Sequence, residues 1–113
     1  ALRDWAVLAL SNSGKTSEVV RLFNDLTAAN HPHRYSLTAA ANSKLESLAT
    51  KGWVLTCGGE KAVAATKSVI EQALFCQAVV DAAAGRTLAA SALGDLAQAM
   101  RGVLSAELPA SIV

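Results

Sequence analysis

At 113 residues, with 52% hydrophobic and 17% charged side chains, the chain is long enough for one small domain with a buried core and too apolar to be disordered. Its net charge of +1 provides no basic stripe to neutralise phosphates, which excludes a nucleic-acid scaffold. No apolar run approaches the roughly 18 residues of a membrane span, so no membrane partner is expected.

Residues 5–10 (WAVLAL) form a continuous apolar run rather than an alternating one, as in a parallel strand covered by helices on both faces. A polar turn, residues 11–14, leads into a helical pattern with Val19, Val20, Phe23 and Leu26 at three-to-four spacing. Ser13 is the expected N-cap, and the helix should stop near Asn30 because Pro32 disfavours helical geometry at His31. Residues 33–40 (HRYSLTAA) predict a second strand. Asn42 or Ser43 then caps a short helix carrying Leu45 and Leu48, which Gly52 ends. Residues 53–57 (WVLTC) predict a third strand, and Gly58-Gly59 a loose turn. A long helical pattern covers about residues 61–84, with Val63, Thr66, Ile70, Leu74 and Ala78 along one face and Gly85 as its stop. Thr87 can cap a last helix carrying Leu88, Ala92, Leu96, Ala99, Val103 and Leu104, which is either an internal layer or a dimer surface.

The order β-α-β-α-β-α-α implies right-handed crossovers and a parallel sheet in a three-layer α/β sandwich. Ligands of such sheets bind beyond the carboxyl ends of the strands. Two loops qualify, residues 11–16 and 57–66. The chain starts at Ala1 without a signal-peptide pattern and opens directly into a strand, so it reads as the middle of a longer protein. Cys57 and Cys76 fit no C-x-x-C or zinc spacing; they read as free thiols in a reducing, cytoplasmic compartment.

The first loop, ALSNSGKT (residues 9–16), ends like a nucleotide-binding P-loop, G-x-x-x-x-G-K-[ST], but has Ala9 at the first glycine position. By pattern Ala9 and Leu10 belong to the strand, and the other strand ends, Leu37-Thr38 and Thr56-Cys57, carry no carboxylate for magnesium. The alternative is a hydroxyl-rich anion site at a helix N-terminus. Ser11, Ser13 and Thr16 supply hydroxyls, Asn12 an amide, and Gly14 a close backbone approach, all without metal. A plain N-cap cluster is the competing reading, although a single Ser or Thr would suffice for that.

SNSGKTSE resembles the phosphosugar loop of the sugar isomerase (SIS) domain family, commonly S-x-S-G-x-[ST]-x-[ED]. CGGEKAVAATKS (residues 57–68) resembles the family segment G-P-E-x-x-V-A-S/A-T-K, typical of the first SIS domain in the isomerase half of glutamine–fructose-6-phosphate aminotransferases and of related sugar-phosphate deaminases and isomerases. The resemblance covers roughly residues 5–84. It implies a flavodoxin-like αβα sandwich, incomplete here with three strands against the family's usual five. Residues 1–86 would be the partial SIS domain, and 87–113 a helix connecting to a further domain or packing on the sheet.

The resemblance further implies that Ser11, Asn12, Ser13, Gly14 and Thr16 hold the phosphate of a hexose 6-phosphate, and that Val63, Ala64, Ala65 and Thr66 lie along the sugar. Ala65 stands where several relatives have serine, Gly59 where proline is common, and Lys15, read as solvated, where glutamate is frequent. The implied function is the phosphosugar-binding domain of an isomerase, aminotransferase or deaminase, with catalytic residues outside this chain. No cofactor is implied, and the implied partner is a second copy or a second SIS domain. The alternative is a phosphosugar-sensing module of a transcription or kinase regulator.

Four further features read as structural. His31 and His33 lack a carboxylate partner in the local sequence and are loop residues, with no metal expected. Glu60 complements the N-terminus of the helix after it. Glu71 and Gln72 fall in mid-helix and should face solvent or another subunit, while Trp5 and Trp53 should start strands at the sheet margin.

Overall fold

The computed structural model of the chain describes residues 2–60, 64–87 and 90–106. After a short 3-10 turn, Leu2–Asp4, come β1 (Val7–Ser11), α1 (Ser17–Ala28), β2 (Arg34–Thr38), α2 (Lys44–Leu48), β3 (Lys51–Val54), α3 (Lys67–Ala83) and α4 (Ala90–Ser105). The strands form a parallel sheet in the order β1-β2-β3, with Val7 opposite Arg34 and Tyr35 opposite Lys51. The chain is therefore a mixed α/β protein, with the element order that the sequence pattern predicts.

Pairing register and the two-residue alternation of strands put Val7, Ala9, Ser11, Ser36, Thr38 and Gly52 on one face of the sheet. Consecutive strands joined by right-handed crossovers bring α1 and α2 to the same side. There Ala9, Phe23 and Leu45 make the core, ringed by Val7, Val19, Leu26, Leu48 and Ala49. Phe23 and Leu45 are fully buried, and each contributes about 1.5–3 kcal/mol over an exposed side chain. The other face carries Leu8, Leu10, Tyr35, Leu37 and Trp53. The Trp53 ring lies 5.9 Å from Tyr35 and 5.2 Å from Phe75 of α3.

Several boundaries differ from the sequence expectation, each for a local reason. β1 starts at Val7, whose N–H bonds to the His33 carbonyl; Trp5 stays in the preceding turn, 68% exposed, and does not start the strand. Ser13 does not cap α1. Gly14 has a φ of 61°, so helical geometry begins only after Thr16, the actual N-cap. α1 ends because Asn30 is left-handed, with a φ of 51°. The His31 N–H bonds to the Leu26 carbonyl and the Asn30 N–H to that of Thr27, a Schellman motif in which asparagine stands where glycine is usual. Ser43 does cap α2, accepting from the Glu46 N–H at 3.3 Å. Gly52 lies within β3 instead of ending that helix. A Cβ there would sit 2.8 Å from Glu46 Cγ and 2.9 Å from Ser36 Oγ, so glycine lets α2 approach the sheet.

β3 is shifted toward the N-terminus of residues 53–57, and Thr56 and Cys57 form a turn. α3 begins at Lys67, not near residue 61, so Ala64, Ala65 and Thr66 precede it. Gly85, with a φ of 71°, closes α3 in a second Schellman motif through Arg86 N–H to Asp81 O and Gly85 N–H to Ala82 O. Leu88, the residue after the expected Thr87 cap, lies outside the described residues. By compactness the chain divides within α3, into Ala1–Cys76 and Gln77–Val113. The first unit holds the sheet, α1, α2 and the first turns of α3. The second holds the rest of α3, the Gly85 turn and α4, whose Leu93, Leu96, Met100 and Val103 are exposed.

Candidate functional site

The loop after β1 is held by its own hydroxyls. Ser11, buried at the strand end, accepts from the Gly14 N–H at 3.1 Å and shares a 2.9 Å hydrogen bond with Thr16 Oγ1. Ser13 Oγ accepts from the Lys15 N–H at 3.2 Å. The Gly14 carbonyl accepts from Leu45 of α2, and the Asn12 carbonyl from Ala39 after β2. A Cβ on Gly14 would lie 2.3 Å from Ser43, so the loop passes too close to α2 for any other residue. With Thr16 Oγ1 turned to Ser11, α1 has no side-chain cap. Its first-turn N–H groups have no side-chain acceptor among the described residues, whereas α2 has Ser43.

The second loop is tied down by two carboxylates. Glu60 Oε2 accepts from the Thr66 N–H at 3.1 Å, the Ser68 N–H at 3.3 Å and Ser68 Oγ at 3.0 Å. The bond from the Thr66 backbone, above all, holds its carboxyl below the usual range. Glu60 thus caps α3, as its position before a helix suggests. Glu71 accepts from the Thr56 N–H at 2.8 Å, Thr56 Oγ1 at 2.7 Å and the Cys57 N–H at 2.8 Å. Its carboxyl falls to about 2, through hydrogen bonding with the Cys57 side chain first and with Thr56 next. The same contact pushes the Cys57 thiol up.

Glu71, although open to water, is therefore bonded within the chain, and so is Gln72. Gln72 Nε2 donates to Asn12 Oδ1 at 2.7 Å across 60 residues of sequence. Adjacent residues on a helix point about 100° apart; here one reaches the end of β3 and the other the end of β1. Periodicity cannot reveal such contacts, because both residues sit at ordinary polar positions of the helix.

A cavity of about 240 Å³ opens where the three strands end. Its described lining is Asn12 and Ser13 after β1, Ala39 and Ala40 after β2, and Gly59 and Glu60 after β3. The carboxyl ends of parallel strands are where α/β sheets hold ligands. Of the expected phosphate residues, Asn12 and Ser13 line this cavity, while Ser11, Gly14 and Thr16 shape the loop behind them. Ala64, Ala65 and Thr66 are exposed and do not line it. Val63 lies outside the described residues.

The neutral donors are the Asn12 amide, the Ser13 hydroxyl and the nearby start of α1. Glu60, the one titratable side chain in the described lining, is ionised and occupied as a cap. Lys15 is exposed. His31 is buried, with its Nδ1 accepting from the His33 N–H at 3.3 Å. Among the described residues no three of His, Cys, Asp and Glu gather as a metal site. Chemically, the arrangement can hold a small acceptor-rich group by hydrogen bonds alone.

Comparison of the chain with protein-family models, with curated proteins and with solved structures yields no match.

Proposed function

We propose that the chain is a phosphosugar-binding domain of the SIS type, holding the phosphate of a hexose 6-phosphate beside Asn12, Ser13 and the start of α1. The supporting observation is that α1 begins without a side-chain cap although four hydroxyl- or amide-bearing residues precede it. First-turn N–H groups with no side-chain acceptor among the described residues, and the positive helix end, together favour an anion. On this reading the three parallel strands belong to a flavodoxin-like three-layer sandwich whose remaining strands lie outside this sequence. The protein works in the cytoplasm, as a homodimer or beside a second SIS domain. The enzymatic version is an isomerase, aminotransferase or deaminase whose acid/base groups come from elsewhere.

A second reading, a phosphosugar sensor, is favoured by the state of Glu60. The only carboxylate in the described cavity lining has one oxygen, Oε2, engaged as a helix cap, which suits binding without proton transfer.

Thermal unfolding with fructose 6-phosphate or glucosamine 6-phosphate, against ATP with magnesium, tests the binding reading. The sugar phosphates are expected to raise Tm; a rise with ATP alone would contradict it. Ser13→Ala is expected to weaken sugar-phosphate binding by about 1.5–3 kcal/mol, the range for a hydrogen bond to a charged group. An unchanged Kd would assign the Ser13 hydroxyl to the loop alone.

A further inference from the structure

Asn12 lines the cavity and carries its donor and its acceptor on opposite corners of one planar amide, so the orientation of that amide decides which of the two it shows to the cavity. Its backbone is fixed, because its carbonyl accepts from the Ala39 N–H at 3.1 Å. Its side-chain Oδ1 is taken by Gln72 Nε2 at 2.7 Å. The amide NH2 has no partner among the described residues, and Asn12 lines the cavity. Glu71, next to Gln72 on α3, holds the β3 loop by three hydrogen bonds, so the helix that carries Gln72 is anchored to the sheet end.

We propose that Gln72 is a positioning residue that holds the Asn12 amide with its NH2 toward the cavity, making the cavity selective for acceptor groups such as phosphate. The inference rests on the phosphosugar reading for its ligand, but not for the amide orientation itself. Gln72→Glu supplies only acceptors, so Asn12 must turn its NH2 to α3 and present Oδ1 to the cavity. Gln72→Leu removes the tether without imposing the reverse orientation.

The test combines side-chain amide NMR of the whole chain with titration by fructose 6-phosphate and by inorganic phosphate. In the unliganded protein the Asn12 NH2 protons should exchange quickly with water, and in Gln72→Glu they should become protected. The Kd for fructose 6-phosphate should rise about ten-fold or more in Gln72→Glu and by a smaller factor in Gln72→Leu, as expected when an acceptor replaces a donor facing a charge. Folding of both variants is checked by the unchanged amide spectrum of the sheet. Protected Asn12 protons in the parent protein, or equal Kd values in all three proteins, would overturn the proposal. Absence of binding of either probe to the parent protein would remove the phosphosugar reading, while the exchange data would still decide the orientation of Asn12.

Discussion

Glu71 is a surface-type residue on an ordinary helix turn, yet its carboxylate accepts three hydrogen bonds from Thr56 and Cys57 in the turn beyond β3. Hydrogen bonding with the Cys57 side chain first, and with Thr56 next, favours the charged form, so the carboxyl falls from 4.5 to about 2 on folding. A depressed carboxyl stabilises the fold above its unfolded value and loses that contribution as pH falls through the folded one. Stability should therefore decline between pH 4.5 and about 2, and Glu60, also held low, acts in the same direction. Acid titration followed by circular dichroism should show a shallower decline for Glu71→Gln than for the parent chain. At neutral pH that substitution should cost about 1.5 kcal/mol, the low end for bonds to a charged acceptor because the site is open to water. It should also speed alkylation of Cys57, whose thiol Glu71 pushes up. Of the site residues, Asn12, Ser13 and Glu60 are legible because they sit at loop and helix-start positions. Glu71 and Gln72 are not, since their partners lie 14 to 60 residues away.

At the scale of elements, the ends matter more than the middles. Hydrophobic spacing locates α1, α2 and α3, but their boundaries follow backbone geometry. Gly14 and Gly85 adopt positive φ, which glycine tolerates without strain, and Asn30 does so at the end of α1. Gly14 is also where the β1 loop crosses α2, with the Ser43 side chain 2.3 Å from any added Cβ. Gly14→Ala therefore combines an unfavourable φ with a clash against the buried cap of α2. It should destabilise by on the order of 3 kcal/mol, measurable as a lowered denaturation midpoint. Gly85→Ala meets no atom within 4 Å and pays only for its φ, so the smaller effect there is an internal control. The sequence alone makes the two glycines look alike.

For the whole molecule, the sheet has apolar side chains on both faces, and α1 and α2 cover one of them. On the other face Leu10 stays 41% exposed, and in the C-terminal unit Leu93, Leu96, Met100 and Val103 remain exposed along α4. Apolar surface of this kind suits the proposed homodimer or paired second domain. Sedimentation equilibrium at micromolar concentration is then expected to give a mass about twice 11.6 kDa, and a monomer at every concentration would leave that role to a second domain. No described helix is long and apolar enough to cross a membrane, in keeping with the short apolar runs of the sequence.

The alternation of apolar runs with helical periodicity was enough to determine a parallel α/β order, because period and run length depend only on neighbouring residues. The hydroxyl-rich turn at residues 11–16 was visible for the same reason. Which of its groups face a cavity was decided only by tertiary structure. Ser11 and Thr16 are turned toward each other, and Asn12 is held by Gln72, so only Asn12 and Ser13 of that turn reach the strand-end cavity. Such choices depend on which side chains from distant segments compete for the same donors and acceptors, and that competition is set in space, not along the chain.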